Sequence, residues 1–440
     1  MSRPASAGII RREPKTLARP ARHRYRLGLI IRFLQLVLLA ATSLRAAAAI
    51  LKLFAADLGL EDEPTPCANA GRLWILRFGL FALRRSLPIE NDWVWMIDHT
   101  IQLGPYKCLL IIGIRLSTWL CDRRPLQHED MTLLNLTPME HATGEAVHKA
   151  LQATVERTGA PRAVVSDGGT DLKRGMELFR EDHPTTLHRL DLKHKNALLL
   201  KKRMQQDKRW QKFVSAANRT KLVTTQTALA FLNPPSLKTK ARYMNLDKLV
   251  EWGQKALAYL DHPRPVEGLI VDQREVRKKL GWLRAYRASL QTWSDWLTIV
   301  RTAEDHVHTS GYHRRLRSEL RQKLRSLAKT PSSQKLLNEM LEFIRQQVTR
   351  LRKDERLIGS TEVLESVIGK YKRLQSSHSQ GGMTALLLSI GAIVGDHSAS
   401  LIQQALETIS TADVTEWCRE HLGQTIQSQR RLTLGAINSD

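Results

Sequence analysis

The sequence predicts an α/β protein in which a mixed five-stranded sheet carries helices on its faces and is interrupted by a large all-helical insertion. Between residues 92 and 190 there are five short apolar runs of strand length, and segments of helical periodicity separate the later ones. The order is three strands, helix, strand, helix, strand, helix, which is typical of a mixed sheet. From about residue 200 to 350 the strand signals largely vanish, and tryptophans recur at helical spacing instead.

The predicted strands span residues 93–99, 107–116, 131–136, 162–166 and 186–190. Helices are predicted over residues 138–158 and 171–179, and from about residue 193 onward. The chain accordingly divides into a basic flexible arm (1–26), a helical region (27–88), a first core segment (89–200), the helical insertion (201–355), a second core segment (356–395) and a C-terminal helical tail (396–440).

Region 27–88 has the pattern of two helices joined by a short connection that contains Gly and Pro. Thr42-Ser43 is a candidate N-cap for the first helix, which Gly59 ends. The second helix begins after Pro64 and is closed by Gly79. This pattern predicts a helix-turn-helix-like DNA-binding region, with an ordinary helical hairpin as the alternative. The side chains that its second helix would offer to DNA are Asn69, Arg72 and Arg77.

The charge balance favours a polyanionic partner, of which nucleic acid is the commonest. Lys and Arg number 68 against 43 Asp and Glu, a formal net charge of +25. The 4 cysteines form no CxxC pair, which argues against a structural zinc site and indicates reduced thiols in a cytosolic protein. Residues 27–51 are strongly apolar, but Arg32 and Arg45 interrupt them, so they predict buried helices rather than a bilayer span. A membrane-associated basic protein is the alternative.

Two aspartates lie at the ends of predicted strands. Asp98 ends the first strand, and Asp167 ends the fourth, followed by Gly168 and Gly169, which leave room for a ligand or backbone to come close. Each Asp alone could simply begin a turn. Together, in this strand order, they predict a site, because functional groups gather at strand ends in such sheets.

A third acid is predicted on a later helix. Glu362 and Glu365 are three residues apart and share a helix face, while Val363 and Val367 can pack that helix onto the sheet. An amphipathic surface helix is the alternative. The basic residues that follow, where DNA phosphates could be held, are Lys370, Lys372 and Arg373.

With Asp98, Asp167, a long helical insertion and the run Glu-Ser-Val-Ile-Gly-Lys-Tyr-Lys from Glu365, the chain resembles DDE transposases of the insertion-sequence type, which have an RNase H-like core. The resemblance covers about residues 90–200 and 355–395. The interval from Asp167 to Glu365 is long for retroviral-integrase-like members and is similar to that of members with an insertion. One subgroup places Tyr and Arg before the Glu and a Lys two turns after it; Lys372 fits, whereas Ile358 and Thr361 do not.

The resemblance implies that Asp98, Asp167 and Glu365 bind two Mg²⁺ (or Mn²⁺) ions. It implies strand cleavage at the ends of a mobile element, and joining of the freed 3′-hydroxyl to target DNA. Double-stranded DNA is then the partner, in a homodimer or higher assembly and not at a membrane, and the location is cytoplasmic, on the nucleoid. Glu362 is the rival third acid, and Asp171 is the rival second acid. An inactive transposon-derived DNA-binding protein and another RNase H-like nuclease or integrase are the alternative functions.

Secondary features extend this hypothesis. His194 could contact the scissile phosphate and Asp191 could support the metal site, although Asp191 could equally be the N-cap of the helix that follows. The Lys/Arg-rich run from residue 189 to 212, with Lys195, suggests a surface that follows phosphates. The tryptophans of the insertion could stack on a flipped base, but core packing is the commoner role.

Overall fold

The computed structural model describes residues 19–55, 64–103, 106–122, 124–237, 243, 245–376 and 383–422, without the side chains of 101–103. Most of the predicted basic arm and the end of the predicted C-terminal tail lie outside these residues. The chain forms two compact units. Unit 1 comprises Met1–Asp122, Leu126–His188 and Thr361–Asp440, and unit 2 comprises Arg123–Pro125 and Arg189–Ser360.

The sheet has five strands in the order β3-β2-β1-β4-β5. β2 is antiparallel to both β1 and β3, whereas β4 is parallel to β1. The predicted mixed five-stranded sheet is therefore confirmed. The strands are β1 (Trp93–Leu103), β2 (Tyr106–Arg115), β3 (Thr132–Met139), β4 (Ala163–Ser166) and β5 (Leu187–Leu190).

Helices precede, separate and follow the strands along the described chain. The helices are α1 (Leu27–Leu38), α2 (Leu44–Leu53), α3 (Ala68–Arg84), α4 (Leu116–Asp122), α5 (Gly144–Thr158), α6 (Thr170–Asp182), α7 (Leu192–Gln206), α8 (Lys208–Thr224), α9 (Leu246–Asp261), α10 (Gln273–Leu280), α11 (Arg287–Ser310), α12 (Leu316–Leu324), α13 (Pro331–Gln347), α14 (Glu362–Ser376), α15 (Ser389–Ile393), α16 (Ala399–Thr408) and α17 (Thr411–Leu422).

Alternation along β1 separates the two faces of the sheet. Trp93, Trp95 and Ile97 belong to a buried cluster with residues of α5 and α6, such as Leu151 and Phe179. Side chains alternate between faces along a strand, so the even-numbered residues of β1 face the opposite side. Asp98 therefore lies on the face that α5 and α6 do not cover.

The helix α3 is buried along most of its length. Trp74, Ile75, Leu76, Phe78 and Leu80 are all buried, and they point in different directions around the helix. A helix that is apolar all round belongs in a core. Core packing uses most of this helix, while Asn69 is exposed and Arg72 is partly buried near its start, so the helix-turn-helix role stays a prediction.

Gly79 does not end α3 as predicted; it marks a close helix crossing. A Cβ atom at Gly79 would lie 1.7 Å from the carbonyl oxygen of Leu388, and one at Gly391 would lie 2.5 Å from the carbonyl oxygen of Gly79. The helix continues past Gly79 to Arg84. The two backbones can touch at this crossing because neither glycine has a side chain.

The predicted N-cap at the start of α2 is confirmed, since the Ser43 hydroxyl accepts a hydrogen bond from Ala46 N at 3.1 Å. The predicted end of this helix at Gly59 lies outside the described residues. The apolar stretch from residue 27 forms α1 and α2, whose inward faces are buried. Among the helices described here, none combines the length and the apolar character that crossing a bilayer would require.

Unit 2 is helical, and its tryptophans form its core. Trp210 and Trp293 lie edge to face at 5.1 Å, and Phe213 lies 5.2 Å from Trp293. Trp252 and Trp296 are also buried. These rings are packed against one another, so core packing accounts for them and stacking on a flipped base does not.

Candidate active site

Asp98 and Asp167 occupy equivalent positions on neighbouring parallel strands. The pairing of β1 with β4 runs from Val94↔Ala163 to Ile97↔Ser166. Asp98 is the next residue of β1 and Asp167 is the first residue after β4, so both aspartates follow the last residue pair of the two strands. One detail of the prediction is wrong: β1 continues past Asp98 to Leu103 beside β2. The pairing of β1 with β4 stops at Ile97, the residue before Asp98.

The turn after β4 fixes the position of the Asp167 side chain. Gly168 has φ 84°, a left-handed conformation that favours glycine. The turn brings Gly169 N to 2.8 Å from Asp167 Oδ1, which accepts its hydrogen bond. On β1, Asp98 Oδ1 accepts a hydrogen bond from His99 N at 2.7 Å. Both carboxylates are thus held by backbone N–H groups.

The helix α14 brings the third carboxylate to the same place. It packs on β1 through an apolar face that includes Leu364, Val367 and Tyr371. Glu365 lies in its first turn, partly buried, and Lys372 lies two turns later, exposed. The helical spacing places both residues on the side of α14 that approaches Asp98.

The pKa of Asp98 reflects the charges of these neighbouring residues. Burial, and then the negative charges of Asp167 and Glu365, raise the pKa of Asp98 to about 7, while the His99 N–H and Lys372 act in the opposite direction. Glu365 is the acid of α14 whose charge contributes to the raised pKa of Asp98. The charges of two acids from distant parts of the chain, and of one lysine, therefore act on Asp98.

Asp171, the rival second acid, is engaged elsewhere. Its Oδ2 lies 2.8 Å from Lys107 Nζ and 3.0 Å from His99 Nε2. Its burial alone would raise its pKa, but the Lys107 hydrogen bond and the His99 charge bring the pKa below its ordinary value. Asp171 therefore anchors the start of α6 to β1 and β2. Sequence reasoning missed His99 and Lys107, since only the pairing of β1 with β2 brings them together.

A second contact that the sequence did not indicate holds α14 beside Glu365. His128 Nε2 lies 3.0 Å from the hydroxyl of Ser366. Burial, and then the charge of Lys370, lower the pKa of His128 to about 4. A neutral imidazole therefore contacts Ser366 at neutral pH, and it helps to fix the helix that carries the third acid.

The predicted DNA-contact residues are distributed unevenly. Arg373 is exposed on α14 like Lys372, while Lys370 is partly buried, as is Arg72 on α3. Lys195 lies in unit 2, with its ammonium 5.6 Å from the centre of the Phe343 ring. Arg77 is a correction: its guanidinium donates to the carbonyl oxygens of Leu406 and Ile409 and lies 3.0 Å from His23 Nε2, so it stabilises unit 1.

Asp191 is the N-cap of α7, where its Oδ1 accepts a hydrogen bond from His194 N at 2.9 Å. Its side chain is buried, with 1% exposed. This is the structural role that the sequence left open for Asp191.

Replacing Asp98 with Asn should stabilise the metal-free protein. The unfolded chain ionises near pKa 3.8 and the folded chain at about 7, so the folded state loses stability as pH rises through this window. Asp98→Asn removes this loss of stability, so the free energy of unfolding should rise by roughly 2 to 4 kcal/mol at pH values above the folded-state pKa of about 7. Urea unfolding without divalent ions, at about pH 4 and about pH 8, measures it.

Asp171→Asn is the matched control, because it should have the opposite sign. Its carboxylate is stabilised by Lys107 and His99, so the substitution should cost about 1 to 3 kcal/mol above the ordinary aspartate pKa. Equal effects of the two substitutions at about pH 8 would contradict the charge distribution described for this site.

Comparison with known proteins adds little to this geometry. No family model matches the chain, and no curated protein matches it. Among solved structures it is similar to the Drosophila P element transposase strand transfer complex, with a TM-score of 0.37 and 12% identity over 89% of this chain and 94% of that one. A likeness at this TM-score carries no weight here, and the function has to be inferred from the residues themselves.

Proposed function

We propose that this protein is a DDE transposase in which Asp98, Asp167 and Glu365 hold two Mg²⁺ or Mn²⁺ ions for DNA strand cleavage and strand transfer. One observation carries the proposal. Asp98 and Asp167 follow the last residue pair of two adjacent parallel strands, and Glu365 acts electrostatically on Asp98 from α14. The sheet would then be an RNase H-like core.

The residues fit a pair of hard divalent cations. Carboxylate oxygens are the ligands that Mg²⁺ prefers, together with water and phosphate oxygens. Burial, and then the negative charges of Asp167 and Glu365, raise the pKa of Asp98, and bound divalent cations would stabilise its ionised form. Two such ions, when bound, activate the attacking oxygen and stabilise the leaving oxygen of an in-line phosphoryl displacement.

The chain's own groups position the acids and the DNA. Backbone N–H groups of His99 and Gly169 orient Asp98 and Asp167, which would hold the metal ions. Gly168 and Gly169 allow a DNA backbone to approach closely beside Asp167. Lys372 is exposed, and its ammonium would hold a phosphate next to the acids.

Double-stranded DNA is the partner that the charge supports. The formal net charge is +25, and binding through Lys and Arg releases counterions from DNA. Arg373 and Lys370 extend the basic side of α14, and Arg72 and Lys195 are further candidates. We propose that the protein acts in the cytoplasm on the nucleoid, as a homodimer or higher assembly that holds paired element ends.

The test uses a supercoiled plasmid that carries the DNA flanking the coding region on both sides. We expect nicking at the element ends in Mg²⁺ or Mn²⁺, none in EDTA, and joining of the new 3′-hydroxyl to a second DNA. Cleavage without joining would indicate a nuclease of another kind. Binding without cleavage in either metal would indicate an inactive DNA-binding protein and would overturn the proposal.

A further inference from the structure

Unit 2 contains a group of metal-ligating side chains that is separate from the three acids. His306 lies in the last turns of α11, His313 in the loop that follows, and Glu319 at the start of α12. Glu319 Oε2 lies 3.1 Å from His306 Nε2 and 3.5 Å from His313 Nε2. One ligand atom from each residue lies within 4.8 Å of the others.

The local fold holds this group in place. Gly311 follows α11 with φ 67°, a backbone conformation that favours glycine. Tyr312 then pairs with Leu357 through two backbone hydrogen bonds of 2.6 and 2.9 Å, and its hydroxyl donates to Leu190 O at 2.8 Å. His313 directly follows this anchored tyrosine. The backbone of His313 is therefore held beside the other two residues of the group.

His313 presents a buried ring nitrogen that needs a partner. The residue is only 5% exposed, and its Nε2 makes no hydrogen bond among the described residues. Leaving a buried polar nitrogen without a partner is costly, and such groups normally have a hydrogen-bond partner, an ion or a water. The nitrogen lies beside Glu319, where a cation shared with the carboxylate would satisfy it.

We propose that His306, His313 and Glu319 bind a divalent transition metal ion, of which Zn²⁺ fits best. Tetrahedral Zn²⁺ with bonds near 2.0–2.1 Å separates its ligand atoms by about 3.3 Å, close to the two distances to Glu319 Oε2. Imidazole ligands favour zinc over magnesium, and two histidines, one carboxylate and a water complete four-coordination.

The ion would tie the end of α11 to the start of α12. This inference does not depend on the proposed function, because none of the three ligands belongs to the group of acids in unit 1. The absence of a CxxC pair argues only against a cysteine-based site, and the three ligands here come from a helix end, a loop and a helix start.

The experiment measures zinc in the purified full-length chain. The protein is stripped with EDTA, incubated with ZnCl₂, desalted and analysed by mass spectrometry for metal content. We expect about one zinc ion per chain, retained in an Asp98→Asn/Asp167→Asn double variant and lost in His306→Gln and Glu319→Gln. Binding of Co²⁺ should give the visible absorption of a tetrahedral site in the wild type and in the double variant, but not in His306→Gln or Glu319→Gln.

His308→Gln is the matched control, because His308 is on the same helical turn as His306 and is not a member of the group. It should keep the zinc. Both test variants change partly buried residues, and circular dichroism checks that they fold. No zinc in the wild type after desalting, or wild-type zinc content in both folded variants, would overturn the proposal and leave an ordinary ion pair.

Discussion

Replacing Asp98, Asp167 or Glu365 with its amide should lower the rate of DNA strand cleavage at least about a thousandfold. Each carboxylate would contribute oxygen ligands to the metal pair, whose stabilisation of the developing charge is worth several kcal/mol. A factor of ten in rate corresponds to about 1.4 kcal/mol, so losing about 4 kcal/mol gives this effect. DNA binding should stay largely intact, because the basic side chains that hold phosphates are unchanged.

Glu362→Gln is the matched control for Glu365→Gln. Both glutamates lie in the first turn of α14, and the charge of Glu365 contributes to the raised pKa of Asp98. We expect Glu362→Gln to cleave at close to the wild-type rate. If Glu362→Gln is inactive and Glu365→Gln is active, the third acid has been assigned to the wrong residue.

Introducing a side chain at Gly79 should have the largest effect on stability. A Cβ atom there would lie 1.7 Å from the carbonyl oxygen of Leu388, which is backbone and has no rotamer to move away. Gly79→Ala therefore has to separate two packed segments, and we expect a loss of about 3 kcal/mol or more. That is a large part of the total stability of a typical protein, and urea denaturation measures it.

Gly369→Ala serves as the control, because Gly369 also lies within a helix, α14, but a Cβ atom there would meet nothing within 4 Å. It should raise stability by about 0.5 to 1 kcal/mol, since alanine is a better helix former. Similar effects of the two substitutions would show that α3 does not depend on close backbone contact at Gly79.

The strands of the sheet were predictable because each one is indicated by a short stretch of neighbouring residues. Each strand is a short apolar run with a turn after it, and Asp98 and Asp167 each follow such a run directly. The order of strands and helices then predicted a mixed sheet, whereas the parallel pairing of β1 with β4 is seen only in the structure. The cap at Ser43 was predictable for the same reason, since its partner, Ala46, is three residues away.

The parts that the sequence could not give depend on contacts between distant residues. Arg77 looks like a DNA-binding arginine, but its partners are carbonyl oxygens from residues 406 and 409. Gly79 looks like a helix end, and only the position of Leu388 shows a crossing. The contacts of Asp171 with His99 and Lys107 likewise require the folded sheet. Spacing along the chain carries no signal for any of these contacts.

Anomalous diffraction from crystals grown with Mn²⁺ and element-end DNA tests most directly whether Asp98, Asp167 and Glu365 bind catalytic metal. We predict two Mn²⁺ ions about 3.5–4 Å apart, bound by Asp98, Asp167 and Glu365 and a phosphate oxygen. Manganese bound only elsewhere on the protein, with Asp98 and Asp167 free of metal beside an intact DNA strand, would contradict this prediction.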